Sequence, residues 1–336
     1  MNSTATKPAI VIVRGGTNSR LRERSLQSGS AVYHTLRDDY DVRDIHLTLR
    51  GNYELNGKQI NIVNYLSAFD GIVFHTLEGK DAVTFQNVCR KIKVTSTGNF
   101  HTRYAEAGQM ERKNILRKSG VKTIPYWRLD HNFNKADSNL YESILRNLRY
   151  PVVISPLPDV FSVNALVVRS ESELRDVLDT CFTLDSPVTV SDTYQGNLYA
   201  TIVMASFRNE SPYVFPTYEI LHDHDISNAY DQDNSTHQSN TSQSSPADVI
   251  ALSKSAFQKL HLRDIARIDI LETPDKEIYV LDVNPHPELG RHSLISDAVG
   301  QVGGTMNEVL SSITKQTVKR HQQSMDKKVR SKESVI

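Results

Sequence analysis

Cysteine is almost absent from this chain: Cys89 and Cys181 are the only two in 336 residues. Two thiols cannot form a disulfide framework, and a reducing compartment is the expected setting. An excess of one charge is missing as well. Lys and Arg number 39, Asp and Glu number 39, and the formal net charge is zero. That removes the broad electrostatic footprint of a nucleic-acid or membrane-surface binder. No apolar run reaches the length of a bilayer span, and the opening MNSTATKPAIVIV lacks the basic segment and long apolar core of an export signal. Asn234 and Asn240 head N-x-S/T triplets, which without an export signal are ordinary polar loop positions. The sequence therefore predicts a cytoplasmic protein whose partners are small molecules or other proteins, not nucleic acid or membrane.

What is present is an alternation of α and β. With 38% hydrophobic and 23% charged residues the chain can bury a sizeable core, and its length allows two or three domains. Ala9 to Val13 is a short apolar run entering Gly15-Gly16, the pattern of a buried parallel strand opening into a loop, and helical spacing follows from Ser25. Further strands are expected at Tyr40 to Leu47 and at Phe69 to Thr76, with an Asn56-Gly57 turn between short strands and a helix from about Asp81. A charged helix from His101 to Lys118 ends at Gly120, ahead of Pro125. The expected units are 1–100, an N-terminal α/β domain; 101–190, a central α+β unit; 191–314, a C-terminal α+β unit; and 315–336, a basic, fraying tail. The polar run Ser227 to Asp248 has almost nothing to bury, which fits either a cover over an active site or disorder.

The chemistry concentrates in ARIDILETPDKEIYVLDVNPHPELGRHSL, from Ala266 to Leu294. If TPDK makes the turn, Glu272 faces Glu277 and Arg267 faces Asp282. Asp269 and Asn284 then share their side of the sheet, because strand side chains repeat every second residue. Two explanations compete. One is a cross-strand ion pair between Arg267 and Asp282 with incidental polar neighbours. The other is a divalent-cation site: Mg²⁺ takes carboxylate and amide oxygens, and substrate phosphates complete its octahedron.

The same hairpin resembles the C-terminal signature of the D-alanine-D-alanine ligases of the ATP-grasp superfamily, and other stretches resemble that family in order. VRGGTNSRLRERSLQSGSAVYHTL is similar to its N-terminal glycine loop and first helix, and FHTLEGKDAV to its His-Gly segment. SGVKTIPYW is similar to its connector, and YPVVISPLPDVFSVNALVV to its central strand and glycine-rich loop. The similarity spans roughly residues 8 to 314. It implies an ATP-grasp architecture: a Rossmann-like N-terminal α/β domain, a small central α+β domain and a C-terminal α+β domain. It also implies ATP- and Mg²⁺-dependent ligation of amino acids of the kind used in cell-wall peptidoglycan biosynthesis. ATP phosphorylates one amino acid's carboxylate and the amine of a second attacks the acyl phosphate, in a homodimer. Positioning and charge neutralisation carry that chemistry.

Carried over by resemblance, Asp269, Asp282 and Asn284 would hold two Mg²⁺ ions, and Arg267 would stabilise the transferring phosphoryl group and the oxyanion. Glu23 would receive the first substrate's ammonium and His75 would sit by its carboxylate. Ser293, with the Leu294 amide, would receive the second carboxylate. Each has a plainer structural explanation: Glu23 as a first-turn acid, His75 as a satisfied strand-end histidine, Ser293 as a helix N-cap. The departures from the family pattern fall on the nucleotide. Ser155 and Gln109 stand where two phosphate-contacting lysines are expected, and Val160 to Asn164 replaces a glycine-rich loop. Ser191 and Leu198 replace acids toward adenine and ribose, Glu288 replaces a glycine, and the polar run lacks the family's Lys-Tyr pair. Losing two charge-assisted contacts of about 1.5 to 3 kcal/mol each weakens nucleotide binding by about two to four powers of ten. Arg169 and Lys113 are the basic residues nearby in sequence that could compensate. Three roles stay open: a working ligase with an altered nucleotide pocket, a non-catalytic homologue that binds an amino acid, dipeptide or partner, and a scaffold.

Overall fold

The computed structural model describes residues 8–98, 109–130, 138–156, 166–183, 188–193, 196–208, 210–220, 247–291 and 293–333. Its first sheet has β1 (Ala9–Gly15) at the centre, with β2 (Asp41–Leu47) and β5 (Ile72–His75) parallel on either side and β6 (Thr95–Ser96) parallel to β5. β3 (Tyr53–Leu55) and β4 (Lys58–Ile60) extend it antiparallel beyond β2, joined through Asn56 and Gly57, both at positive φ. β1 is apolar throughout because both its faces are covered. Ile10 and Ile12 enter a cluster with Val32 of α1 (Ser19–Leu36), whereas Val11 and Val13 meet α2 (Ile62–Ser67) and α3 (Gly79–Ile92). The first helix starts ahead of the expected Ser25 because the Asn18 side chain accepts the Arg20 and Leu21 amides. Gly15 permits the sharp exit from β1: at its φ of 106° a Cβ would stand 2.3 Å from the Leu47 carbonyl oxygen.

After α4 (Gln109–Lys118) comes an antiparallel sheet in the order β7 (Trp127–Leu129), β10 (Val188–Asp192), β8 (Val152–Pro156), β9 (Leu166–Val168). With α5 (Ser138–Asn147) and α6 (Glu171–Thr183) it encloses its own apolar cluster. The last sheet orders β12 (Tyr213–Val214), β11 (Asn197–Met204), β14 (Ile265–Glu272) and β15 (Ile278–Asn284), with β13 (Tyr218–Ile220) also on β11. α7 (Ala247–Lys259) packs on β11 and β14, and α8 (Leu294–Gln301) and α9 (Met306–Glu333) close the chain. One apolar cluster runs from Ile10, Ile12 and Phe74 to Ile202, Phe215 and Leu310, so the first and last sheets share a core. No helix among the described residues is long and apolar enough to cross a membrane.

The expected fraying from residue 315 is corrected: α9 continues to Glu333. Asp264 explains why. It is 1% exposed, and its carboxylate accepts the Gly98 amide at 2.6 Å and both guanidinium nitrogens of Arg320 at 2.9 and 3.1 Å. A buried carboxylate needs such a counter-ion, and the next residue, His321, reaches Thr95 and Asp70. The helix thus ties the first sheet to the last.

Candidate functional site

The hairpin pairs differently from the expected register. Arg267 stands opposite Asn284, not Asp282, and Asp269 stands opposite Asp282; Glu272 faces Ile278, not Glu277. Two irregularities cause this. The turn takes in Glu277, whose carbonyl accepts the Thr273 amide at 2.9 Å. A bulge between Asp269 and Ile270 then leaves Leu281 as an extra residue on β15. Either shift alone would turn Asp282 and Asn284 to the opposite face from Asp269; together they restore the shared face. The ion pair expected between Arg267 and Asp282 is made instead with Asp269, at 2.7 Å from Nε to Oδ1.

That face is tightly balanced. Asp269 is buried, and burial raises its carboxyl pKa while Arg267 pulls it back and Asp282 adds to the rise. Asn284 Oδ1 accepts the His286 amide at 2.9 Å. Asp282 Oδ1 is buried and has no hydrogen-bond partner among the described residues. An unsatisfied buried carboxylate oxygen is costly and calls for a missing cation or donor. Among the described residues no three His, Cys, Asp or Glu side chains converge, so the donor set is two carboxylates and an amide oxygen. That suits a hard cation whose remaining positions are filled by water and phosphate.

α4 packs on β15, with Leu116 in one apolar cluster with Val280 and Val283. Burial lowers the Lys113 pKa, the Asp282 carboxylate opposes the drop and Arg112 deepens it, so the ammonium lies in the field of Asp282. Its Nζ sits 5.8 Å from the centroid of the Tyr126 ring. Beyond Asn284, His286 turns toward the first sheet. Gln86 of α3 donates to its Nε2 at 2.7 Å, and burial followed by Arg112 lowers its pKa to about 3. His75, at the end of β5, lies ring to ring with His286 at 5.7 Å, and burial followed by His286 holds its pKa well below normal. Both imidazoles are neutral at pH 7. They border a cavity of about 40 Å³, also lined by Thr76, Glu78, Thr97 and Glu288.

The comparisons with known proteins can be set against this geometry. The family described as D-ala D-ala ligase C-terminus matches residues 115–315, more than half of the 336 residues. The chain belongs to the D-alanine-D-alanine ligase family. A D-alanine--D-alanine ligase of Clostridium botulinum (strain Eklund 17B / Type B) is 23% identical over 313 residues, covering 92% of this chain and 98% of its own. The VanG D-Ala:D-Ser ligase of Enterococcus faecalis superposes with a TM-score of 0.77 at 19% identity, over 93% of this chain and 100% of that one. The Bacillus anthracis D-alanine--D-alanine ligase complexed with ATP gives 0.73 at 20% identity, over 94% and 99%. The ATP-grasp fold implied by the sequence motifs is thus the fold found, and the family uses ATP and Mg²⁺ on amino-acid substrates.

Against the family pattern, the remaining positions divide. Glu23 lies exposed on the first half of α1. Ser293 is buried as the N-cap of α8: its hydroxyl donates to the Gly290 carbonyl at 2.7 Å and accepts the Ser296 amide at 3.3 Å. That cap leaves the Leu294 amide at the helix start, where no intrahelical acceptor reaches it. Neither Glu23 nor Ser293 lines the cavity that His75 and Glu288 share. A Cβ on Gly290 would stand 3.1 Å from Glu288 Oε1, so the Glu288 carboxylate folds over that glycine. On the nucleotide side, Ser155 pairs with Thr189 and Ser191 with Val153. Leu198 is 3% exposed among Ile124, Leu271 and Leu281. Gln109 opens α4. The side chains of Ser155 and Gln109, residues 160–164 and 221–246, and Gly108 lie outside the described residues. Arg169 is exposed after β9, on the central sheet.

Reading the sequence missed Arg112, Gln86 and His286. His286 was visible in NPHPE, two residues after Asn284. Nothing in the spacing marks Gln86, which reaches the site only through the packing of α3.

Proposed function

We propose that this protein is an ATP- and Mg²⁺-dependent carboxylate-amine ligase acting on amino acids, with a nucleotide pocket weakened by substitution. One observation carries the proposal: the buried, unpartnered Asp282 Oδ1 beside the Arg267–Asp269 pair. A protein that had lost its cation would be relieved of an uncompensated buried oxygen by almost any substitution there. Asp269, Asp282 and Asn284 would hold Mg²⁺, which when bound neutralises phosphate charge and polarises the phosphoryl group. Arg267, fixed by Asp269, presents a rigid guanidinium to phosphoryl oxygens and to the oxyanion that forms when the amine adds to the acyl carbon. The neutral His75 can accept or donate one hydrogen bond to a substrate carboxylate without adding charge. Glu23 would bind an ammonium from its exposed position, and the start of α8, with Ser293 and the Leu294 amide, would receive a second carboxylate.

A second reading has its own support. Leu198 is sealed into an apolar cluster and cannot offer an acid to a ribose, and Ser155, Gln109 and Ser191 carry no charge. These favour a non-catalytic homologue that binds an amino acid, a dipeptide or a partner. Calorimetric titration of Mg·ATP, followed by phosphate release on adding D-alanine, separates the two. Weak but metal-dependent ATP binding with slow, amino-acid-dependent phosphate release supports the ligase. Absence of nucleotide binding at any metal concentration rejects it.

A further inference from the structure

The site has three cations on its walls, and they are not equivalent. Arg267 is fixed by the Asp269 carboxylate at 2.7 Å. Arg112 acts on the His286 ring. Among the described residues no carboxylate lies within salt-bridge distance of Lys113, although Asp282 acts on it through space. Its Nζ lies 5.8 Å from the centroid of the Tyr126 ring, and Tyr126 is itself held: its hydroxyl engages the Met110 carbonyl at 3.1 Å and Asn114 Oδ1 at 3.0 Å. Both acceptors belong to α4, so the ring stands rigidly beside the ammonium. Lys113 therefore stands on a helix packed against β15, in the field of Asp282, whose Oδ1 is buried without a hydrogen-bond partner among the described residues. An anion carried by a cation on Asp282 would be attracted by the same ammonium.

We infer that Lys113 is the phosphate-binding cation of this protein, meeting the phosphates of a metal-bound nucleoside triphosphate from α4 where Ser155 and Gln109 offer no charge. This rests on the nucleotide-binding reading above and adds the residue that makes it workable. The ammonium lies by an aromatic face and in the field of Asp282, so a phosphate held by a cation there would complete its coordination. Tyr126 becomes a positioning residue, acting on the nucleotide only through Lys113.

The test compares Mg·AMP-PNP with adenosine, titrated into the full chain and into Lys113→Met, which keeps the aliphatic stem and removes the charge. The expected result is Mg·AMP-PNP binding weakened about ten- to hundredfold in the variant, with adenosine binding unchanged. Equal weakening of both ligands, or no change in either, makes Lys113 a structural residue and overturns the inference while leaving the ligase reading standing. If the unmodified chain binds no Mg·AMP-PNP, both fall together. Should Lys113→Met not fold, lysine acetylation of the unmodified protein followed by mass spectrometry gives the same answer. Mg·AMP-PNP should slow modification of Lys113 severalfold where adenosine does not, and equal modification with and without Mg·AMP-PNP overturns the inference.

Discussion

β14 pairs with β11 on one edge and with β15 on the other, and the two edges carry opposite chemistry on the same face. Toward β15 the face holds Arg267, Asp269, Asp282 and Asn284. Toward β11, the residues paired with Arg267, Asp269 and Leu271 are Ile202, Ala200 and Leu198, all buried. One sheet thus keeps a charged strip next to an apolar strip with no place for a charge. The contrast teaches where change was tolerated. On the ionic strip Arg267 and Asp269 depend on each other, so replacing either leaves its partner stranded, whereas Leu198 on the apolar strip is stabilised by packing alone.

Breaking the ionic strip should have the largest effect. Arg267→Met leaves Asp269 buried without its counter-ion, and a loss of about 3 to 5 kcal/mol in chemical denaturation is expected. The apolar strip should resist the opposite change. Leu198→Glu places an acid among Ile124, Leu271 and Leu281 and should cost about 2 to 4 kcal/mol without improving nucleotide affinity. If affinity improves instead, Leu198 borders the nucleotide after all. Adding charge at the two family lysine positions should sharpen the contrast: Ser155→Lys with Gln109→Lys is expected to tighten Mg·ATP binding by about tenfold or more in calorimetry.

The sequence made the fold legible because β1, β5 and the hairpin have unambiguous apolar periodicity and the motifs fall in order. It also made the polar face legible, since Arg267, Asp269, Asp282 and Asn284 share one parity. It did not reveal the register, because the bulge at Leu281 is one apolar residue among several and the turn can close at Lys276 or Glu277. The α9 helix was misread for a related reason. KQTVKRHQQ looks solvated until Asp264, far away in sequence, appears as the partner of Arg320. Contacts of that kind, like Gln86 with His286, exist only in three dimensions.

The smallest effect concerns His75, at the end of β5 in the first sheet and ring to ring with His286. Its pKa is lowered on folding, so the unfolded chain binds the proton more readily. Stability is therefore full above the unfolded value of about 6.5 and falls as pH drops below it. Thermal unfolding between pH 7.5 and about 5 should show this slope, to which His286, with its pKa lowered to about 3, also adds, and His75→Gln should reduce it; an unchanged slope would mean that His75 does not contribute.

Whether the strip on β14 and β15 holds a cation can be read from the melting temperature in the absence and presence of millimolar Mg²⁺, for the unmodified protein and for Asp282→Asn. Mg²⁺ should raise the melting temperature of the unmodified protein. Asp282→Asn, relieved of an unpartnered charge, should melt higher than the unmodified protein without metal and respond to Mg²⁺ hardly at all. A melting temperature indifferent to Mg²⁺, or an Asp282→Asn variant that gains as much from the metal as the unmodified chain, would contradict a cation site on that strip.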